Sequence, residues 1–398
     1  MRFSLFLLCL LFPTLLFAQG GVITGTVARM DTKTPLGKAS VFLSNSSFGT
    51  ITNDDGSFTL NRLRPGQYDL IVTMLGFEDY SQTILVGKDA LKLKIELMPK
   101  VTQLHEVVIT TPANWKRNYA MFVKEFLGES ADARKCTIEN PHDIMLIYHK
   151  AKKMLEAYSD GFIVIENRAL GYKVKLLLKR FSCDDINNII SWEGRILYEE
   201  LPAKARQKTA WLQRRREIYY GSSMHFFRSL RLGTLNDEGF QMMQLFRTPN
   251  PKRPPAELIQ KNIDRFTYFN RDSLNYWTNM YNLPKYDDSL NRQLMPEAAV
   301  LHKTDRPGIY AVVFRDCLYV VYTKKRENMY FRDIYRPLDM PNYETSVITL
   351  YKPYALFDMN GVVVSSQSTL FEGSWSKNKV AELLPVDYVP DAGKEEIN

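Results

Sequence analysis

A strict alternation of apolar and charged residues constrains the fold of this chain more than any other sequence feature. In LKLKIEL (residues 91–97), every second residue is apolar and the residues between are charged. A period of two places all the apolar side chains on one face of a β-strand. The same alternation recurs in YDLIVTM (68–74), and GVITGTVA (21–28) is rich in β-branched residues, which favour strands. Residues 22–97 therefore predict a small antiparallel β-sandwich.

Turn residues separate these predicted strands. NDDG (residues 53–56) predicts a hairpin, because Asn and Asp side chains bond their own backbone and Gly accepts a positive φ. Pro65 and Gly66 predict the next reversal. Asp54 and Asp55 could belong to a calcium site, but the spaced oxygen ligands of a calcium loop are missing. A plain turn is the favoured interpretation.

Five segments of this region lie in the order typical of a known family: ITGTV (23–27), TPLGKASVFL (34–43), GTITNDDGSFTL (49–60), LRPGQYDLIVTMLGFE (63–78) and LKIEL (93–97). They resemble the carboxypeptidase-like regulatory domain, a seven-stranded transthyretin-like β-sandwich. The resemblance implies a non-catalytic module, which accompanies metallocarboxypeptidases and precedes many outer-membrane TonB-dependent receptors. It implies no peptidase activity for this chain.

The N-terminal residues predict export. Residues 1–18 begin with a basic residue, Arg2, continue with an apolar run and end with the small residue Ala18. This order is typical of a secretory signal peptide, and we expect cleavage near Gln19. No later window approaches the roughly 20 apolar residues of a transmembrane helix. We therefore expect a cell-envelope protein, periplasmic or associated with the outer membrane, with no membrane span after signal removal.

The cysteines give no sign of a metal site. Cys136, Cys183 and Cys317 remain once Cys9 leaves with the signal, so at least one thiol is unpaired or pairs between chains. Their spacing shows no CxxC motif and no tight cluster. Buried, inert thiols are the favoured interpretation, and neither a metal nor a cofactor is predicted.

The chain of 398 residues exceeds the length at which single cores stop growing, so more than one domain is expected. The predicted division is a signal peptide, the sandwich, a linker, an uncharacterised α+β domain and a mobile tail, at residues 1–18, 20–100, 101–112, 113–388 and 389–398. The overall fold class is thus mainly β, with an α+β second domain built on an antiparallel sheet with several helices.

The segment LHEVVIT (residues 104–110) is similar to the one that leads from this module into the plug of TonB-dependent receptors. No plug-like sequence follows, and too few residues remain for a barrel of about 22 strands. The segment is therefore interpreted as a linker strand or as a strand that pairs with a partner sheet. The linker is favoured.

The second domain carries a helix signal and then strand signals. Pro112 begins and Gly128 ends a predicted helix with an aromatic stripe, at Trp115, Tyr119, Phe122 and Phe126. The stripe could be a docking face, but a core-facing helix is favoured. Short β-rich runs follow, separated by turns at residues 160–161 and 193–194: IMLIYH, FIVIEN, GYKVKLLLKRF, INNIISW and RILYEEL.

Later segments extend this pattern. A short helix is predicted over residues 271–284 and a hairpin around Arg315 and Asp316, with further strands at SVITLYK and GVVVSS. Four segments, FLGESADARKCTIENP (126–141), IENRALGY (165–172), YYGSSMHFFRSL (219–230) and LLPVDY (383–388), resemble a little-characterised region found behind the same module in secreted envelope proteins of Gram-negative bacteria. That resemblance implies co-occurrence and supplies no catalytic residue.

The most unusual composition lies in residues 203–233, where cations and aromatic residues are mixed and Glu217 is the one acid. Good helix formers predict a helix that breaks at Gly221. Arginine binds anionic groups through two parallel hydrogen bonds, and adjacent aromatic rings can hold a ring or an acyl surface. The candidate binding residues for an anionic glycan or lipid, named the basic aromatic cluster below, are Arg214, Arg215, Arg216, Tyr219, Tyr220, His225 and Arg228.

The composition favours a second interpretation of this cluster. In it, the arginines of a surface helix pair with acids elsewhere, such as Glu199 and Glu200, while the aromatic residues pack on the sheet. Binding of nucleic acid is disfavoured despite a pI near 9.0, because an exported protein rarely meets DNA or RNA. Anionic envelope polymers or lipid headgroups are the expected partners.

Known catalytic motifs are absent from the sequence. No histidine stands in HExxH spacing, and there is no GxSxG, GxxxxGK or GxGxxG, the motifs of zinc peptidases, serine hydrolases and nucleotide-binding proteins. A triad of His225, Ser222 and Glu217 is the remaining catalytic candidate. We expect an exported, non-enzymatic binding or scaffold protein of the cell envelope. The alternatives are an unrecognised envelope hydrolase and a partner of a TonB-dependent uptake system.

Overall fold

The computed structural model of the chain describes residues 20–87, 89–100, 111–327, 335–365 and 367–390. The predicted signal peptide, the LHEVVIT segment and the acidic tail lie outside the described residues.

The N-terminal region is a β-sandwich of seven strands, as predicted. The strands are β1 (Gly21–Arg29), β2 (Ser40–Leu43), β3 (Gly49–Ile51), β4 (Ser57–Leu63), β5 (Gly66–Thr73), β6 (Tyr80–Val86) and β7 (Leu91–Leu97). One sheet has the order β4-β1-β7 and the other β3-β2-β5-β6. The pairing departs from the antiparallel prediction in one place, because β7 runs parallel to β1.

The hairpin predicted at residues 53–56 is wrong. The turn exists, since the Gly56 amide donates to the Asn53 carbonyl at 2.8 Å, and the Asp55 carboxylate accepts from the Ser57 amide at 2.9 Å. However, β3 pairs with β2 whereas β4 pairs with β1, so the turn carries the chain from one sheet to the other. Gly56 is required there: its φ is +75°, and a Cβ atom would lie 2.4 Å from the Val27 carbonyl oxygen.

The two sheets enclose a core of their own, built from the alternating residues that predicted it. Ile23, Val72 and Ile95 are among its fully buried members. One member comes from the other end of the chain: Val386 is buried in the same cluster. The sandwich core is therefore completed by a distant segment, which the N-terminal pattern alone does not predict.

A six-stranded antiparallel sheet follows. Its elements are helix α1 (Pro112–Leu127) and strands β8 (Cys136–Ile138), β9 (Ile144–His149), β10 (Met154–Ser159), β11 (Phe162–Asn167), β12 (Tyr172–Asp184) and β13 (Ile189–Glu200). Strand β12 is central: β13 pairs along one edge, while β11 and β10 pair end to end along the other.

Helix α1 packs its aromatic stripe on this sheet. Phe122 and Phe126 are fully buried, and both rings meet Phe181 of β12 edge to face, at 5.0 and 5.7 Å. Thr111 accepts from the Asn114 amide at the start of the helix, and Gly128 ends it with a φ of +96°. The core-facing interpretation of this stripe is therefore the one observed.

The turn predicted at residues 193–194 is wrong, because β13 runs through it without a break. Gly194 pairs with Leu178 and Glu193 with Arg180 across an irregularity in the register. The sequence Glu-Gly marks a bulge here. Glycine fits because a Cβ atom at this position would approach the Leu177 carbonyl oxygen to 2.8 Å.

The last part of the chain forms two further sheets around a buried helix. Its elements are α2 (Ala205–Tyr219), α3 (Ser223–Leu232), α4 (Leu235–Glu238), β14 (Phe240–Pro249), α5 (Ala256–Phe266), α6 (Arg271–Asn282), β15 (Tyr286–Leu294), β16 (Leu301–Lys303), β17 (Ile309–Val312), β18 (Cys317–Arg326), β19 (Tyr343–Leu350), β20 (Ala355–Asp358), β21 (Thr369–Gly373) and α7 (Ser374–Lys377). One sheet has the order β15-β14-β18-β19-β21 and the other β16-β17-β20. Phe226 and Phe227 of α3 fill the shared core.

Two local predictions fail in this region. Residues 309–323 do not form a hairpin around Arg315 and Asp316, because β17 and β18 belong to different sheets. Strand β18 is nevertheless central, as its apolar sequence predicted. Of the predicted strand GVVVSS, the described residues 361–365 make only an isolated bridge, between Val363 and Phe357. The turn at residues 358–361 folds them back on the end of β20, where the Asp358 amide donates to the Val362 carbonyl at 3.0 Å.

The sandwich is joined to the rest of the chain through the turn between β2 and β3. The Asn45 amide donates to the Ile196 carbonyl at 2.7 Å, and the Tyr198 amide donates to the Ser46 carbonyl at 2.9 Å. Asn45 has a φ of +60°, a conformation that asparagine tolerates better than most residues. Beside this turn, apolar residues of both parts share a small buried cluster: Phe42, Ile71, Leu177 and Leu197.

We predict that Phe42→Ala lowers the free energy of unfolding of the whole chain. Phe42 is fully buried and its ring centroid lies 5.8 Å from that of Phe162, so the substitution leaves a cavity between the two parts. The expected loss is about 3–5 kcal/mol, measured by urea denaturation. Phe246→Ala is the matched control, because Phe246 is 43% exposed and its loss should cost less than about 1 kcal/mol. Equal losses would contradict this account of the junction.

Candidate functional site

The basic aromatic cluster lies on α2 and α3, which meet at the predicted break. Gly221 has a φ of +87°, and a Cβ atom there would lie 2.7 Å from the Tyr322 ring. Ser222 caps α3 by accepting from the His225 amide at 3.2 Å. The break turns the chain sharply, so that both helices direct arginines toward the same segment, residues 379–390, named the C-terminal segment below.

Arg215 is buried and is used internally. Its guanidinium donates to the Leu170 carbonyl at 2.7 Å and to the Gly171 carbonyl at 3.3 Å. A third contact reaches the Glu200 carboxylate at 2.6 Å, one of the two acids that the second sequence interpretation names. The guanidinium carbon also lies 3.8 Å from the centre of the Tyr172 ring. Arg215 therefore fixes α2 to β12 and β13.

Arg228 binds main-chain carbonyls from two separate segments. It donates to Val386 at 2.7 Å, to Tyr388 at 2.9 Å and to Asn360 at 2.9 Å. The amide of Val386 in turn donates to the Asn45 carbonyl of the sandwich at 2.7 Å. Arg228 thus holds the C-terminal segment against both the sandwich and the turn at residues 358–361.

The remaining two arginines of the cluster are partly exposed, and both make contacts within the chain. The Arg214 side chain is 40% exposed and donates to Asp132 at 2.7 Å and to Glu217 at 2.8 Å. The hydrogen bond from Arg214 lowers the pKa of Glu217. Arg216 donates to the Pro390 carbonyl at 3.4 Å.

The aromatic members surround His225, which is buried. The rings of Tyr219, Tyr220 and Phe240 have their centres 5.0, 5.2 and 4.9 Å from that of His225. The Gly221 amide donates to Nδ1 at 3.2 Å, so Nδ1 carries no proton. Nε2 therefore carries it and donates to the Glu238 carboxylate at 3.1 Å. Burial lowers the pKa of His225, although Glu238 partly opposes the shift, and the neutral ring matches this bonding.

The structure does not assemble the catalytic candidate of His225, Ser222 and Glu217. The Ser222 hydroxyl faces the backbone amide of His225 and not its ring. Glu217 bonds Gln213 and Arg214. Both ring nitrogens of His225 are occupied, by Gly221 and Glu238, so no serine-to-histidine-to-carboxylate relay exists at this position.

A turn at residues 358–361, which was not predicted from the sequence, also supports the basic aromatic cluster. Asp358 is buried and accepts at one carboxylate oxygen from the amides of Asn360 and Val362, both at 2.9 Å. The Asn360 side chain then donates to the Gln67 carbonyl of the sandwich at 3.1 Å. Desolvation raises the pKa of Asp358 to about 6. The sequence DMNG (358–361) carries the signal for this turn, with Asp at the first position and Gly at the fourth.

The cysteines are free thiols, and burial raises the pKa of all three. The value is about 12 for Cys136 and for Cys183, and it is also above the usual range for Cys317. Thiols of this kind are protonated at neutral pH and are poor nucleophiles. Within the described ranges, histidine, cysteine and acidic side chains do not gather in threes that could hold a metal ion. Across those same ranges no helix is long and apolar enough to cross a membrane.

Comparison with known families identifies the N-terminal part. Residues 23–109 match the CarboxypepD_reg-like domain. The match covers about a fifth of the chain and confirms the family predicted from the five N-terminal segments. This domain contains the turn at residues 44–48, which bonds the Val386 amide, and the Gln67 carbonyl, which accepts from the Asn360 side chain. Val386 and Asn360 are the residues that Arg228 of the basic aromatic cluster binds. No curated protein matches the chain.

Solved structures show only distant likeness. A cohesin-X-dockerin complex from Acetivibrio cellulolyticus is 16% identical over 20% of this chain and 58% of that one, with a TM-score of 0.18. The pilus 2b backbone protein of group B streptococcus is 21% identical over 20% and 41%, also with a TM-score of 0.18. A Bacteroides fragilis protein of unknown function is 8% identical over 89% and 97%, with a TM-score of 0.17. The chain spans about half the length of the first two, and at these TM-scores none of the three bears on function.

We predict that Arg228→Ala loosens the C-terminal segment. The substitution leaves the carbonyls of Asn360, Val386 and Tyr388 without their shared donor. The expected loss in free energy of unfolding is about 3 kcal/mol, with earlier cleavage near residue 386 in limited proteolysis. Arg306→Ala is the control, because Arg306 is exposed. Unchanged stability and cleavage in Arg228→Ala would show that the clamp is not needed.

Asp358 predicts a pH dependence of stability. Its pKa in the folded chain, about 6, lies above the ordinary value of 3.8. The folded state therefore holds the proton more tightly, and the free energy of unfolding falls as pH rises between these two values. Asp358→Asn keeps an acceptor oxygen without the charge. Relative to this variant, the natural chain should lose about 2 kcal/mol between about pH 4 and pH 7.

The exposed Asp305 provides the control for this measurement. Asp305→Asn should follow the natural chain across the same pH range in urea denaturation. A difference between the natural chain and Asp358→Asn that does not change with pH would remove Asp358 as the source of the dependence.

Proposed function

We propose that this chain is an exported, non-enzymatic scaffold or binding protein of the cell envelope. The observation that carries the proposal is the junction between its parts. The CarboxypepD_reg-like domain is bound by main-chain hydrogen bonds to β13 and to the C-terminal segment, through Asn45 and Ser46. A module held in this way presents one continuous surface with its neighbour, which is what a scaffold requires.

The internal contacts of the basic aromatic cluster limit which of its arginines could bind a ligand. Arg215 and Arg228 already bind carbonyls and a carboxylate of this chain, and taking either one for a ligand would break those bonds. An anionic glycan or lipid would meet the cluster at Arg214, whose side chain is 40% exposed, in exchange for its contacts with Asp132 and Glu217. Charge reversal at Arg215 is not a clean test of binding, since a carboxylate there would face the Leu170 and Gly171 carbonyls.

We expect the protein in the envelope fraction of its native cells, processed near Gln19. Osmotic shock and outer-membrane preparation would establish the compartment, and mass spectrometry of the purified chain would establish its first residue. A tagged natural chain, used to capture material from detergent-extracted envelope, should then retain an anionic glycan or lipid or an outer-membrane protein, including any TonB-dependent receptor it serves.

Arg214→Gln is the matched variant for the capture step, and Arg306→Gln is its control. If the cluster binds an anionic glycan or lipid at Arg214, Arg214→Gln should reduce its recovery severalfold while Arg306→Gln leaves it unchanged. Recovery of the unprocessed chain in the cytoplasm would overturn the proposed location. Equal recovery by both variants would overturn the ligand site. The scaffold role would then be tested by whether the natural chain captures an outer-membrane protein.

A further inference from the structure

The feature that carries a further inference is the helical hairpin of α5 and α6, inserted between β14 and β15. Helix α5 is fixed to the body at two points: Ile259 is fully buried, and Asp264, in its last turn, pairs with Lys153 at 2.7 Å. Arg253 donates to the carbonyls of Tyr281 and Leu283 at the end of α6. The hairpin is therefore anchored to the rest of the chain, and this fixes the position of its loop at residues 267–270.

The loop exposes two consecutive aromatic side chains. Tyr268 is 88% and Phe269 is 86% accessible to solvent. The loop backbone is nevertheless ordered by hydrogen bonds: the amides of Phe269 and Asn270 both donate to the Phe266 carbonyl at 3.2 Å. The Asn270 side chain then caps α6 by accepting from Ser273 at 3.0 Å. The two rings are thus presented outward by a structured turn.

Exposed cations flank this loop on α5 and α6. Lys261, Arg265 and Arg271 are exposed, and Lys261 and Arg265 lie one helical turn apart, on the same side of α5. None of the three forms an ion pair with a residue in the described ranges. Of the nearby acids, Asp264 is paired with Lys153, which leaves Asp272 beside the loop. The surface around the two rings is therefore positive.

We propose that this hairpin loop docks on the surface of an anionic phospholipid bilayer. Tyr and other amphipathic aromatic residues favour the headgroup level of a membrane, and nearby cations are attracted to anionic headgroups. A protein partner fits less well: two aromatic side chains offer about 400 Å² of contact, whereas a stable protein interface needs about 800 Å² on each partner. Shallow insertion of two rings with surrounding cations needs no larger patch.

This inference differs from the proposed function in its residues and in its ligand site. It locates lipid contact on α5 and α6, not on the basic aromatic cluster of α2 and α3. It can be tested on the purified chain with synthetic vesicles, so its failure would leave the cell-fractionation result unaffected.

The experiment is co-sedimentation of the chain from residue 20 onward with vesicles of phosphatidylethanolamine and phosphatidylglycerol, with phosphatidylcholine vesicles as the neutral comparison. The natural chain should bind the anionic vesicles, and binding should weaken as salt is added. Tyr268→Ser combined with Phe269→Ser should lower the partition coefficient at least tenfold. Lys261→Glu combined with Arg265→Glu should lower it by more than the roughly fivefold expected for removal of one cation.

Two matched controls make the outcome decisive. Leu75→Ser removes a side chain that is 95% exposed on the sandwich, and Arg206→Glu combined with Lys208→Glu reverses two exposed cations of α2. Both should bind as the natural chain does. The proposal is overturned if the natural chain does not bind, if the aromatic double variant binds normally, or if a control loses as much binding as its partner. Circular dichroism and thermal midpoints would establish that all variants stay folded.

Discussion

The arrangement of this protein depends on one guanidinium group. Arg228 reaches three carbonyl oxygens, on Asn360, Val386 and Tyr388, which belong to two separate segments more than 130 positions beyond it along the chain. A carbonyl that loses water on folding must find a donor, and the planar guanidinium supplies several donors from one residue. The C-terminal segment can therefore lie between the sandwich and α3 without forming a strand of its own. Its position in turn completes the sandwich core and the junction with β13.

Much of the fold was readable from sequence where a single physical rule acted alone. Alternation predicted the strands at residues 68–74 and 91–97, whereas the number of seven strands came from the family resemblance. The aromatic spacing from Trp115 to Phe126 predicted α1 and its buried face. Turn residues predicted where the chain changes direction, but they did not predict which strands pair on either side. NDDG forms a turn and Arg315-Asp316 a bend, yet in each case the flanking strands enter different sheets. A turn residue reports the local backbone, whereas the choice of sheet depends on long-range packing. Glu193-Gly194 failed for a related reason, since glycine also serves a bulge inside a strand.

The site was harder to predict because arginine binds two kinds of partner equally well. A guanidinium suits a carboxylate of a ligand and a carboxylate or carbonyl of its own chain by the same geometry. The sequence offered Glu200 as one of the acids that the arginines of α2 could pair with, and Arg215 makes that contact at 2.6 Å. It could not show that Arg228 meets residues 386 and 388, since no local pattern links positions so far apart. The exposure of Tyr268 and Phe269 was not predicted because α5 was not predicted. Without α5, the sequence did not indicate that these residues lie in a loop between two helices.

The burial of Val386 within the sandwich has a consequence for how the chain is made. This residue lies more than three hundred positions beyond β1, yet it helps to close the core that β1 begins. A newly emerging polypeptide can pair its early strands, but their interior stays unfinished until residue 386 has been synthesised. A product that stops before residue 386 would leave this part of the sandwich core uncovered by its own chain.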